Sequence, residues 1–291
     1  MDQVSGSTPP FPFIVIDQNQ LRDRRLLAEL ATRGQKQGLQ LLVPEGAFFE
    51  LSKSKKIMDT WRNSLQLLYL HRTSVCISDK MTRLMNEEII QQEQASRIDS
   101  KAETTFVRSI LEQINSSDYS TIQEIIDGPL AEKLPRSLLI WNDHDNHKSL
   151  VTKLQALMKE SIPPDLLKKL RQSPETAAKT WLCSISGARF VFQGIKSFGA
   201  DDSTALLLTR EPSVNGAFLC AVAGLAVNWI ANGGLESAKP RSLTNDLHDI
   251  EYIVFGSLCD SLASEDSRAI NICTAVKESF SVRSKMLAVR S

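Results

Sequence analysis

Acidic residues concentrate in one stretch near the carboxyl terminus of the 291-residue chain. Positions 244–266 contain no lysine or arginine, and their carboxylates are Asp246, Asp249, Glu251, Asp260, Glu265 and Asp266. Like charge at this density opposes folding unless a cation compensates it. Mg²⁺ and Mn²⁺ are the simplest compensators, because these hard cations prefer carboxylate oxygens and water as ligands. The stretch therefore predicts a site for a divalent cation.

The elements that would position these carboxylates can be read from the same stretch. Residues 244–256 are typical of a helix, on which Asp246 and Asp249 share one face because they are three residues apart. Asp260 and Asp266 are six residues apart across a predicted strand, a spacing that returns both side chains to one side if no bulge intervenes. For Asp260 a surface position before the strand is the favoured interpretation. We expect the helix and the strand to present their acids together.

A second candidate lies near the amino terminus. Residues 12–16 form a short apolar run that indicates a buried strand, and Asp17 ends it. Ligands bind at the carboxyl ends of parallel strands, so Asp17 would join the C-terminal acids if the first and last strands are neighbours. Glu50, on the helix after the second strand, would point toward the same edge, with Glu45 as its rival. Asp17 and Asp266 are also placed where an Asp would cap a helix.

The first part of the chain alternates between strand and helix patterns. Strands are predicted at 12–16, 39–43 and 73–77, with helices at 18–33 and 46–58 between them. This rhythm favours right-handed crossovers and a parallel sheet, so we predict an α/β fold.

The middle of the chain shows mainly helical patterns. Short strands are predicted at 138–141 and 205–208, and helices at 216–232 and 267–280 close the chain. The domain organisation that we predict has a flexible lead-in at 1–10, an α/β core formed by 11–78 plus 205–285, and a mainly helical insertion at 79–204.

Composition limits the function further. Lys+Arg and Asp+Glu both number 34, which argues against coating nucleic acid or an anionic membrane through bulk charge. The five cysteines are scattered without a CxxC pair, which favours a reducing compartment. The apolar run 217–227 is shorter than a membrane span, so we predict a core helix and a cytoplasmic protein without a membrane partner.

Other motifs carry less weight. The segment 142–147 holds two histidines and two aspartates, yet its spacing fits a solvated loop better than a zinc site. Neither a glycine-rich phosphate loop nor a GxSxG nucleophile motif occurs. Arg22, Arg24 and Arg25 form a basic cluster that would flank the acidic edge and hold backbone phosphates.

Four acids and their surroundings resemble a known family. Asp17 in FIVID, Glu50 in VPEGAFFEL, Asp249 in NDLHDIEYI and Asp266 in SED look like the acidic set of PIN-domain nucleases. The NDxxDxxY version, with Asp246 beside Asp249, is similar to PIN-like sequences of bacterial defence and toxin type. The resemblance covers about residues 12–58 and 244–280, and the long intervening segment departs from a compact PIN domain.

The resemblance implies a three-layer α/β/α fold with a central, mostly parallel sheet. It also implies a metal-dependent endoribonuclease in which Asp17, Glu50, Asp249 and Asp266 hold Mg²⁺ or Mn²⁺, with Asp246 as a further ligand. RNA would be the substrate, and DNA is an alternative. A function of a different class stays open, in which a non-catalytic PIN-like protein binds protein partners through the helical insertion. The number of metals and the oligomeric state, including a homo-oligomer, are also open.

Overall fold

A computed structural model describes residues 10–52, 57–116, 162–233 and 240–288, together with single residues at 120, 152, 156 and 158. Within these ranges the side chains of 48–50 and 240–247 lie outside the description, as do a few others. The fold is α/β, as predicted, with helices around a mostly parallel sheet.

Five strands form the sheet in the order β4-β3-β2-β1-β5. They are β1 (Phe11–Ile16), β2 (Gln40–Val43), β3 (Val75–Ser78), β4 (Asp99–Ser100) and β5 (Cys259–Ala263). The four strands β3, β2, β1 and β5 run parallel, and β4 pairs antiparallel with β3. The first and last strands are therefore neighbours, which was the condition for bringing Asp17 to the C-terminal acids.

Strand β1 lies inside the sheet, between β2 and β5. Four consecutive residues, 13–16, are buried, as expected for a strand covered on both faces. Val15 pairs with Leu262 and Ile16 with Ala263, so the carboxyl ends of β1 and β5 are aligned. This register places residue 17 and residue 264 next to each other at one edge.

Helices make up most of the rest of the described chain. In chain order they are α1 (Arg24–Gln37), α2 (Glu45–Ser52), α3 (Ile57–Tyr69), α4 (Met81–Gln91), α5 (Lys101–Asn115), α6 (Pro164–Gln172), α7 (Ala177–Leu182), α8 (Ile185–Ser197), α9 (Asp202–Arg210), α10 (Val214–Ala231), α11 (Pro240–Leu258) and α12 (Ser267–Ala288). A short 3-10 helix, Gln18–Arg22, separates β1 from α1.

Several predicted elements need correction. The strand predicted at 205–208 is wrong, because these residues lie in α9, whose N-terminus is capped by Asp201 through the Thr204 N–H at 2.7 Å. The single helix predicted at 18–33 is instead the 3-10 helix followed by α1, which begins after Asp23. The pattern analysis also missed α3. The strand predicted at 138–141 and the segment 142–147 lie outside the described residues.

The apolar helix α10 lies in the core. It is the one helix in the described ranges that is long and apolar enough to cross a membrane, with a mean hydropathy of 1.7, but 83% of it is buried inside the fold. The buried carboxylate of Glu88, on α4, accepts the backbone N–H groups of Val214 and Asn215 at the start of α10. Burial raises the pKa of Glu88, and these hydrogen bonds oppose the rise. The predicted core helix is thus confirmed as buried, whereas the division into core and insertion stays a prediction.

Candidate functional site

Asp17 lies at the carboxyl end of β1, where the residue is 5% exposed. The residue caps the following 3-10 helix, since Oδ1 accepts the Asn19 N–H at 3.1 Å. Oδ2 accepts the hydroxyl of Ser264 at 2.6 Å. Within the described part of the chain, no lysine or arginine forms an ion pair with Asp17. A buried carboxylate is thus held by hydrogen bonds without a cation beside it, which is unusual because buried charges are ordinarily paired or bind metals.

Ser264 connects Asp17 to the start of the last helix. Its hydroxyl donates to Asp17 and accepts the N–H of Asp266 at 3.1 Å. The aligned ends of β1 and β5 produce this contact, and Asp17 N–H also donates to the Ala263 carbonyl at 3.0 Å. Strand pairing therefore brings Asp17 and Asp266 to the same edge, with one hydroxyl between them.

Asp266 occupies the N-terminus of α12. Its Oδ1 accepts the N–H groups of Arg268 at 2.8 Å and Ala269 at 3.2 Å, an N-cap arrangement. Its Oδ2 lies 3.4 Å from Nη2 of Arg268. Asp17 and Asp266 therefore both act as helix caps, and both keep acceptor capacity because a carboxylate has about four lone-pair sites.

A carboxylate to which the sequence assigned no role reaches this region from α11. Oε2 of Glu251 accepts the N–H of Gly46 at 3.0 Å, at the start of α2 and just beyond β2. A Cβ on Gly46 would collide with that oxygen. A glycine at the second position of a helix, after Pro44, was the one local signal of such an approach.

A further acidic group lies at the ends of β2 and β3. Glu45 begins α2, and its Oε1 is 3.8 Å from Nζ of Lys80, while Asp79 directly follows β3. Burial raises the pKa of Glu45, and the negative charges of Glu103 and Asp79 add to the rise while Lys80 opposes it. The structure thus places Glu45, the rival of Glu50, beside Lys80.

The other predicted ligands are described less completely. Asp249 is half-buried on α11, and Glu50 and Asp246 are helical residues whose side chains lie outside the description. No three His, Cys, Asp or Glu side chains among the described residues are grouped closely enough to hold a metal ion. The ligand set Asp17, Glu50, Asp246, Asp249 and Asp266 therefore stays a prediction.

Asp260 lies near the amino end of β5, away from Asp266. Its Oδ2 accepts a hydrogen bond from Nη2 of Arg33 at 2.8 Å. Four residues separate Asp260 from Ser264, which is about 13 Å along an extended strand. A shared side of the strand does not bring Asp260 to Asp266, because alternation sets the face of a side chain and not its position along the strand.

Comparison with known proteins adds no assignment. The chain matches no protein-family model, no curated protein and no solved structure. The functional argument therefore depends on the residues at the carboxyl edge of the sheet.

The donor set at this edge fits a hard divalent cation. Asp17 and Asp266 offer carboxylate oxygens, and Ser264 holds both groups in position. Mg²⁺ is commonly bound through one or two carboxylates, with water and substrate phosphates completing its coordination. The buried charge of Asp17 supports the fit, since a cation would compensate it.

Proposed function

We propose that this protein is a metal-dependent nuclease with a PIN-like core, acting on RNA. The observation that carries the proposal is the buried Asp17 carboxylate, which lacks a paired cation in the described chain and is joined to Asp266 through Ser264. Ligands bind at the carboxyl ends of parallel strands, so a metal held by these two carboxylates would lie where a phosphodiester can bind. Cleavage type and substrate preference follow from the resemblance to PIN-domain nucleases.

Asp17 and Asp266 would hold Mg²⁺ or Mn²⁺, with Glu50, Asp246 and Asp249 as the further proposed ligands. A bound metal supplies a water of lowered pKa and stabilises charge developing on the phosphate. Ser264 orients both carboxylates, as partners around metal ligands do.

Basic side chains that follow Asp17 closely in the chain support a nucleic-acid substrate. Arg22, Arg24 and Arg25 are exposed and follow Asp17 across one short 3-10 helix. Arg25 is partly neutralised by Glu29, whose Oε1 lies 3.0 Å from its Nε. Arginines at this place would contact backbone phosphates and orient the chain without reading its bases.

The test compares wild type with Asp17→Asn and Asp266→Asn on single-stranded and structured RNA, with Mn²⁺ and with EDTA. Asparagine is as good an N-cap as aspartate, so both variants should fold. We expect metal-dependent cleavage to fall by about 100-fold or more in each variant.

Asp260→Asn is the matched control, because Asp260 lies near the amino end of β5 and pairs with Arg33. It should cleave like the wild type. Equal cleavage by all four proteins would indicate a contaminating nuclease and contradict the proposal, as would the absence of both cleavage and Mn²⁺ binding in the wild type.

A non-catalytic interaction protein is the second candidate. The helix-capping roles of Asp17 and Asp266 favour it, because capping explains both residues without a metal. Exposed apolar side chains in the predicted insertion 79–204, Ile90 and Phe198, also favour it. This candidate would be supported if the wild type binds no Mn²⁺ and its segment 79–204 forms a stable complex with another protein.

A further inference from the structure

Arg268 is a cation at the end of a helix that disfavours cations. It lies in the first turn of α12, where the helix dipole attracts negative charge and repels positive charge. Asp266, at the cap, supplies the compensating carboxylate, and its Oδ2 is 3.4 Å from Nη2 of Arg268. The side chains are 33% and 35% exposed, so the pair lies at the surface of the site.

The two oxygens of Asp266 have different roles. Oδ1 accepts two backbone N–H groups of α12 and is held in place by the helix. Oδ2 accepts from Nη2 of Arg268 at 3.4 Å and receives no backbone N–H among the described residues. Oδ2 is therefore the oxygen that a metal would use, and Arg268 occupies that side.

We propose that Arg268 is the internal counter-ion of Asp266 and a positioning residue for the substrate. The inference depends on the proposed function. Without metal, the guanidinium neutralises Oδ2. When a divalent cation occupies the site, the guanidinium leaves Oδ2 and contacts a phosphate of the RNA, for which its planar, bidentate donors are suited. Arg268 thus competes with the metal for Asp266 and assists substrate binding.

The experiment measures Mn²⁺ binding by calorimetry in the absence of RNA. Arg268→Ala should bind Mn²⁺ about two- to five-fold more tightly than the wild type, the range expected for removing one charge from a surface ion pair. Arg268→Lys keeps the charge and should stay within two-fold of the wild type. The gain in Arg268→Ala should shrink as ionic strength rises, since salt screens exposed charges.

Arg33→Ala is the matched control for the metal measurement. Arg33 pairs with Asp260 near the amino end of β5, away from Asp266, and the two side chains are 46% and 36% exposed. Its removal should leave Mn²⁺ affinity unchanged. Urea unfolding of each variant should give a free energy of unfolding close to that of the wild type, as expected if Asp266 still caps α12.

Cleavage kinetics test the substrate role. Arg268→Ala should raise KM for RNA by about ten-fold, the loss of one charge-assisted contact, and leave kcat within about two-fold. An unchanged KM would overturn the substrate role, and unchanged Mn²⁺ affinity in Arg268→Ala would overturn the counter-ion role while the proposed function stands. Failure of the folded wild type to bind Mn²⁺ would overturn the proposed function and this inference together.

Discussion

The hydroxyl of Ser264 donates a 2.6 Å hydrogen bond to Oδ2 of Asp17, across 247 positions of the chain. The parallel pairing of β1 with β5 makes this contact, because it aligns the residues that follow each strand. The same hydroxyl accepts the Asp266 N–H, so one side chain links the end of β1 to the start of α12. Stability and metal binding should therefore both depend on Ser264.

Ser264→Ala should lower the free energy of unfolding by about 2 kcal/mol, because a hydrogen bond to a carboxylate is lost and the Asp266 N–H loses its acceptor. Mn²⁺ affinity should fall by about ten-fold, since the carboxylates lose their orienting partner. Urea denaturation and calorimetry measure the two effects. Ser261→Ala is the control, because Ser261 lies within β5 beside Arg33. It should change neither the free energy of unfolding nor the Mn²⁺ affinity by a comparable amount. Equal effects in both variants would contradict the role of Ser264.

Gly46→Ala should displace the carboxylate of Glu251, because the new Cβ would collide with Oε2. We expect a net loss of about 1 kcal/mol or less, because the flexible glutamate can move aside and alanine favours the helix, while the hydrogen bond to the Gly46 N–H is lost. In a Glu251→Ala background the same change should cost much less, since the obstructing oxygen is gone. A double-mutant cycle by urea denaturation measures this coupling. Additive effects would show that the close approach carries no energy.

Glu88→Gln should destabilise the fold by about 2–3 kcal/mol. The carboxylate accepts four N–H groups, from Ala95, Val214, Asn215 and the Asn215 amide, and an amide –NH₂ would face donors instead of acceptors. Chemical denaturation measures the loss. Glu87→Gln, its neighbour on the same helix, pairs with Arg83 at the surface and should change stability by less than about 0.5 kcal/mol. A similar loss in both variants would argue against the capping role.

Arg283, on α12, is fully buried and has no carboxylate partner in the described chain. Its guanidinium donates to the Thr209 carbonyl at 3.2 Å and contacts Ser279 and Cys220. Arg283→Met keeps the apolar stem and removes an uncompensated charge, so we expect stability within about 1 kcal/mol of the wild type. Arg283→Ala leaves a cavity and should cost about 3–5 kcal/mol. Thermal and urea unfolding of both variants distinguish these results, and equal losses would refute the prediction.

Glu45 should make stability depend on pH. Its pKa is raised above 4.5, chiefly by burial, so the folded chain binds more protons than the unfolded chain. The contribution of Glu45 to the free energy of unfolding is therefore fully present below pH 4.5 and is lost as the pH rises through the folded-state pKa. Glu45→Gln should be increasingly stable relative to the wild type as the pH rises through this window. Urea unfolding at several pH values measures the difference, and a constant difference would contradict it.

Local patterns in the sequence determined much of the fold. The apolar run before Asp17 produced β1, and the uninterrupted apolar segment within α10 produced a buried helix, because both depend on the hydrophobicity of adjacent residues. The alternation of strands and helices also predicted the parallel sheet. Asp17 and Asp266 could be placed at strand and helix ends by the same local reasoning.

Tertiary structure alone decided which of these residues meet. The Ser264–Asp17 contact depends on strand order and register, and the Glu251–Gly46 contact joins residues 205 positions apart. Glu88 meets the start of α10 across 126 positions, whereas Asp260 is separated from Asp266 by the length of β5. Periodicity specifies the face of one helix or strand. Contacts between elements depend instead on packing of the whole core, which no local pattern contains.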